Sequence, residues 1–187
     1  MNRTTISTKH RILSSRPHQN LRSYFHWRFT LQPKMSTMDV TFLVICVMLA
    51  LSIAAPFISL AAIGLARRGE YSRHRFVQNL LFGTCVSGVI ALEVAIRFAG
   101  GSGSLIRQGP YYDFSWFKYL LVCHIIGAVL TYIVWGYLIL ASNMKFKSTL
   151  PGSFSKRHKT LGIGVIAGLV YTAITASIIC YFTFIIS

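Results

Sequence analysis

"FLVICVMLALSIAAPFISLAAIGLA", residues 42–66, contains no Asp, Glu, Lys or Arg. A helix rises ~1.5 Å per residue and needs ~20 residues to cross ~30 Å of hydrocarbon. This stretch is long enough to do so, and it is not alone. Phe76–Ala99, Tyr119–Ser142 and Thr160–Ile186 are apolar runs of similar length. The third and fourth are also free of charge, whereas the second contains Glu93 and Arg97. Four such runs predict an all-α fold, an integral membrane four-helix bundle with helices over about 42–66, 76–99, 119–142 and 160–186. Pro56 is expected to kink the first by removing one backbone hydrogen bond.

Composition agrees with this reading. Charged residues make up 12% of the 187-residue chain, against roughly 25% in an ordinary soluble domain. Four helices this apolar, joined by short connections, would leave a soluble protein almost no polar surface. The formal net charge of +15 does not mark a nucleic-acid binder, because the cations sit at the ends of the apolar runs rather than on one folded face. The expected partner is the lipid bilayer.

Those cations also predict an orientation. The first connection carries Arg67, Arg68, Arg73 and Arg75 against Glu70. The third carries Lys145, Lys147, Lys156, Arg157 and Lys159 with no acid. Short loops rich in Lys and Arg stay on the cytoplasmic side, or the matrix side in an organelle. Residues 1–37 oppose this arrangement, with seven Lys or Arg and no acid. They lack the apolar core of a secretory signal. They are expected to be a disordered basic extension, either a mis-called start ahead of Met35 or Met38 or a targeting peptide, with the transmembrane domain over 38–187. The predicted location is a bacterial inner (plasma) membrane, with the mitochondrial inner membrane as the alternative.

Small residues recur at helical spacing, Gly164, Gly168, Thr172 and Ala176 in the last run and Gly83, Ser87, Ala91 and Ala95 in the second. Such stripes let helix backbones approach closely in lipid. Cys46, Cys85, Cys123 and Cys180 lie singly within the apolar runs and read as small buried hydrophobes. Tyr111, Tyr112, Trp116 and Tyr119 are placed for a headgroup belt. No Gly-rich phosphate loop or Ser-His-Asp order is present, and the chain reads as non-enzymatic.

The chemistry is left to His74, Glu93, Arg97, His124 and His158. Ionisable groups within membrane helices usually face a partner or a cavity. His74 opens the second helix and His158 the fourth, both on the inner side, so they can approach one another if the second and fourth helices are neighbours. Each lies between cations, Arg73 and Arg75 or Arg157 and Lys159, and a purely interfacial role is the alternative. Glu93 lies ~28 Å along the helix from His74, at the predicted depth of His124, and is spaced for an ion pair with Arg97. Neutral imidazole ligates haem iron, copper and zinc. The candidate cofactor ligands are therefore His74, His158 and His124. Glu93 joins them as a candidate metal ligand, and the candidate groups are haem b or copper.

The segments "GLARRGEYSRHRFVQN", "ALEVAIRFAGG", "FKYLLVCHIIGAV", "FSKRHKTLG" and "YTAITASIICY" resemble, in that order, the four-helix membrane family numbered four hundred and twenty among the domains of unknown function. The resemblance covers roughly residues 60–182. It rests on His74, Arg75, His124, His158, Tyr171, Thr172 and Thr175. A member of that family looks like a maturation factor for haem-copper cytochrome oxidases. The resemblance implies a role in assembling a respiratory oxidase, with oxidase subunits as partners and the histidines as transient ligands. Two other readings stand beside it, a small b-type cytochrome with His74 and His158 as axial ligands and a structural subunit of a larger membrane complex.

Overall fold

The computed structural model describes residues 37–101, 111, 113–145 and 154–184. The basic extension lies outside the described residues, apart from its last position, as do Tyr112 and residues 185–187. Among the described residues the chain is helical, with no strand. Its elements are α1 (Thr37–Arg67), α2 (Tyr71–Phe98), α3 (Ser115–Lys145) and α4 (Phe154–Phe184). All four are long and apolar enough to cross a membrane. Each begins several residues before the apolar run that predicts it. Helix continues into the polar flanks because a backbone amide left unpaired beside an apolar surface costs free energy. α1 also runs without a break through Pro56, which is buried.

Two glycines end helices in the same way. The Glu70 amide donates to the Leu65 carbonyl at 3.0 Å and the Gly69 amide to Ala66 at 3.1 Å. At the end of α2 the Gly101 amide donates to Ile96 at 2.9 Å and that of Gly100 to Arg97 at 3.2 Å. This is the Schellman arrangement, in which the residue after the cap adopts a left-handed conformation to satisfy the last carbonyls. Gly69 has φ +83° and Gly100 φ +95°, values an L side chain rarely tolerates. The "RRGE" and "FAGG" sequences thus stop α1 and α2 and reverse the chain.

The helices pack in chain order around a ring, α1 on α2, α2 on α3, α3 on α4 and α4 back on α1. Neighbours are antiparallel. The Thr41 hydroxyl donates to the Ala95 carbonyl at 3.3 Å, and at the opposite end Ala62 accepts from His74. α3 and α4 are registered likewise by His124 with Thr175 and Ser142 with His158. One end therefore collects the C-termini of α1 and α3 and the N-termini of α2 and α4. It holds Arg67, Arg68, Arg73, Arg75, Lys145, Lys156, Arg157 and Lys159 and is called the basic end below.

The core is narrow. Ala55, Leu81, Cys85, Trp135, Leu138, Val165 and Leu169 form one buried cluster to which every helix contributes. Phe82 packs edge-on against Trp135 at 5.2 Å between ring centroids. The far end is closed by rings, with Phe182 against Tyr111 at 5.0 Å and Trp116 at 5.2 Å. Apart from Thr41, the buried threonine hydroxyls among the described residues bond carbonyls of their own helix, as Thr131 does to Gly127 and Thr183 to Ile179, both at 2.7 Å. Outside this core the surface is apolar. Phe57, Phe76, Phe98, Leu140 and Ile163 are each about two-thirds or more as exposed as in an isolated residue, within helices whose most apolar windows are only 11 to 28% buried.

The small-residue stripes divide. On α4, Gly168 receives the Thr131 side chain and Thr172 is buried, but Gly164 faces open space. On α2, Gly83 also faces open space, and Ser87 and Ala91 are exposed. α2 instead turns in the face with Leu81 and Cys85, and its close approach to α1 is at Gly88, against Met48. Apolar bulk at Leu81 and Cys85 outweighs the small face, because it fills the space beside Trp135.

A histidine pair and a cavity at the basic end

The inward stripe of each helix changes character as it approaches the basic end. On α2 it runs from Cys85 and Leu81 to Gln78 and His74. On α3 it runs from Trp135 and Leu138 to Ser142, and on α4 from Val165 to Gly162 and His158. α1 contributes Ala55, Ser59 and Ala62. The 3.6-residue period that places Leu81 and Val165 in the core also turns both histidines inward. A cavity of ≈ 770 Å³ opens there, lined by residues of all four helices, including Ser59, His74, Gln78, Asn79, Trp135, Ser142, Asn143 and His158.

His74 and His158 meet across this cavity, with ring centroids 6.3 Å apart and planes 81° apart. Each ring is fixed from behind. The Nδ1 of His74 lies 2.8 Å from the Ala62 carbonyl oxygen. A carbonyl only accepts, so this nitrogen carries the proton, and Nε2 is the lone-pair nitrogen of the neutral ring. The Nδ1 of His158 lies 3.1 Å from the Ser142 hydroxyl. Histidines that ligate metals are commonly oriented in this way, one ring nitrogen held by a carbonyl, carboxylate or water while the other faces the metal. Around the pair, Trp135 Nε1–H donates to Gln78 at 3.2 Å. The amides of Asn79 and Asn143 exchange hydrogen bonds of 3.2 and 3.1 Å, joining α2 to α3.

One hydroxyl in the cavity wall is not satisfied. Ser59 is 1% exposed, and its Oγ has no hydrogen-bond partner among the described residues. A buried polar group in that state costs ~1–3 kcal/mol. It has no counterpart among the other buried hydroxyls of the described residues, and only the packing of α1 against the cavity reveals it.

The remaining candidates lie elsewhere. His124 Nδ1 is 2.7 Å from Thr175 Oγ1, whose own hydroxyl donates to the Tyr171 carbonyl at 2.8 Å. The Thr175 oxygen therefore accepts from His124, and the interaction ties α3 to α4. Thr175 stands roughly 25 Å along α4 from His158, so His124 does not reach the pair. Glu93 lies on an exposed face of α2, with Oε1 2.7 Å from an Arg97 guanidinium nitrogen. Among the described residues no three His, Cys, Asp or Glu side chains converge. The structure thus brings His74 and His158 together but joins neither His124 nor Glu93 to them. Arg73 binds Glu70 at the turn. Arg75 lines the cavity.

Comparison with known proteins returns no matching family model, curated protein or solved structure.

Proposed function

We propose that this chain is a multi-pass membrane protein whose basic end faces the cytoplasm or matrix and holds a redox metal between His74 and His158. The single observation that carries this reading is the imidazole pair itself, 6.3 Å apart, with both Nδ1 atoms engaged behind it. Two protein ligands do not complete a closed tetrahedral zinc site, which takes four. They do suit a metal that brings its other ligands with it. Haem iron arrives with the porphyrin nitrogens, and copper in transit receives further ligands from its recipient. The cavity, at ≈ 770 Å³, falls within the ~300–1,000 Å³ of cofactor pockets. Iron or copper held there supplies one-electron chemistry.

The chain's own part is to orient. Ala62 and Ser142 fix the rings, the Asn79–Asn143 pair holds α2 to α3 beside them, and Trp135 forms part of the wall. The family resemblance adds the biological role, delivery of haem or copper during maturation of a respiratory haem-copper oxidase in a bacterial plasma membrane. A b-type cytochrome is the second reading, favoured by the near-perpendicular imidazoles on opposite walls of one cavity. The test is metal and haem content per chain in purified parent, His74→Ala, His158→Ala and His124→Ala proteins at equal expression. The first two variants are expected to lose the bound group and the third to keep it. No loss in either His74 or His158 variant defeats the proposal. A haem that stays bound through purification at one per chain favours the cytochrome. Substoichiometric, exchangeable metal, with loss of assembled oxidase on gene deletion, favours the maturation factor.

A further inference from the structure

The cavity at the basic end combines two chemistries. Its inner wall is apolar, with Ile63, Leu138, Ile139 and Val165, while Arg67, Arg75 and Lys159 also line it and no lining residue is acidic. Arg67 and Lys159 are exposed, so the positive charge lies toward the solvent side, and the apolar wall lies toward the core. A ligand complementary to this arrangement has a flat apolar body and acidic groups at one edge.

Resting on the histidine-pair reading, we propose that the ligand is a porphyrin carrying free carboxylates. Its acidic edge lies against Arg67, Arg75 and Lys159 while its body fills the space between the imidazoles. Carboxylate bonds to guanidinium and ammonium groups are roughly twice as strong as neutral ones, and Arg presents the fork that matches a carboxylate. Selectivity for the acid over a neutral porphyrin follows, because an ester offers the three cations no charged acceptor.

The experiment uses the full chain in neutral detergent, titrated with three probes, iron protoporphyrin IX, its dimethyl ester, and metal-free protoporphyrin IX. Binding is read from the absorption band and from quenching of Trp fluorescence. The parent is expected to bind the iron free acid at least tenfold more tightly than the ester. The Arg75→Gln/Lys159→Gln double variant is expected to lose that preference while leaving ester binding unchanged, which also shows that it is folded. Equal affinity of the parent for acid and ester overturns the inference, as does an equal loss of both in the double variant. Displacement of the free acid by equimolar phosphatidylglycerol also overturns it, since the cations then take lipid headgroups. The metal-free probe separates the two proposals. If it binds with the same charge dependence, and iron and His74→Ala change nothing, carboxylate recognition stands and histidine ligation fails. If iron tightens binding but the ester binds as well as the acid, ligation stands and this inference fails.

Discussion

Gly168 and Gly164 lie one turn apart on α4 and provide a matched test of how closely α3 and α4 approach. A methyl group added at Gly168 would collide with Oγ1, Cγ2 and Cβ of Thr131, whereas one added at Gly164 meets nothing within 4 Å. Thr131 cannot swing away cheaply. Its hydroxyl is bonded to the Gly127 carbonyl at 2.7 Å, and β-branching leaves its χ1 few choices. The collision includes Cβ itself, so the backbones of α3 and α4 must separate. Overpacking of this kind costs ~1–3 kcal/mol. Both substitutions also gain the ~0.5–1 kcal/mol by which Ala exceeds Gly in a helix. Subtracting one variant from the other cancels that shared gain and isolates the steric part.

Gly164→Ala is therefore expected to be neutral or slightly stabilising. Gly168→Ala should fall below it by ~1–3 kcal/mol, roughly a 5- to 150-fold difference in the unfolding equilibrium. Reversible unfolding in mixed micelles, with neutral detergent titrated by a denaturing one and followed by Trp fluorescence, measures both. Adding Thr131→Ala to Gly168→Ala removes the methyl and hydroxyl that collide and should recover part of the loss. Equal stability of the two single variants would show that α3 and α4 are not in contact at this level and would refute the packing.

Three further outcomes are expected. Asn79→Ala and Asn143→Ala, with the double variant, should show a coupling of ~0.6 kcal/mol and at most ~1.7 kcal/mol in the same unfolding assay, the range of interhelical hydrogen bonds in lipid; strictly additive losses would mean the amides do not pair. Ser59→Ala should leave the ligand-free protein as stable as the parent or more so, because it removes a buried hydroxyl that lacks a partner among the described residues, and a large loss would reveal a partner. Truncations fused to alkaline phosphatase after Gly69 should be inactive and those after Gly100 active, and the reverse pattern would turn the protein over in the membrane.

The number and order of the helices were legible in the sequence, but each begins four to six residues before the apolar run that predicts it. Gly69 and Gly100 stop helices by conformational freedom alone, and runs without charge admit few other structures. The inward faces were harder to read. α2 presents two stripes of comparable character, Gly83–Ser87–Ala91–Ala95 and His74–Gln78–Leu81–Cys85, and a helix apolar on every side gives little direction from hydrophobicity. What decides between them is Trp135, whose indole N–H needs an acceptor and whose ring needs bulk beside it. Gln78 supplies the first and Phe82 the second, and both lie on or beside the second stripe.

The same contrast separates the site from its surroundings. His74 and His158 stood out as protonatable groups, each between two cations, at the starts of the second and fourth helices, and alternate helices of an up-and-down bundle start at the same end. What no spacing rule shows is the support behind them. The acceptor for His74 is the backbone carbonyl of Ala62, a residue with no side-chain chemistry, and the partner of His158 is Ser142, one of many serines. His124 illustrates the reverse case. Apolar neighbours on both sides made it conspicuous, yet Thr175 sits opposite and takes its proton-bearing nitrogen. A lone histidine in an apolar helix announces that some partner exists. Only the facing helix determines whether that partner is a threonine, which ties two helices together, or a second imidazole across a cavity, which can hold a ligand.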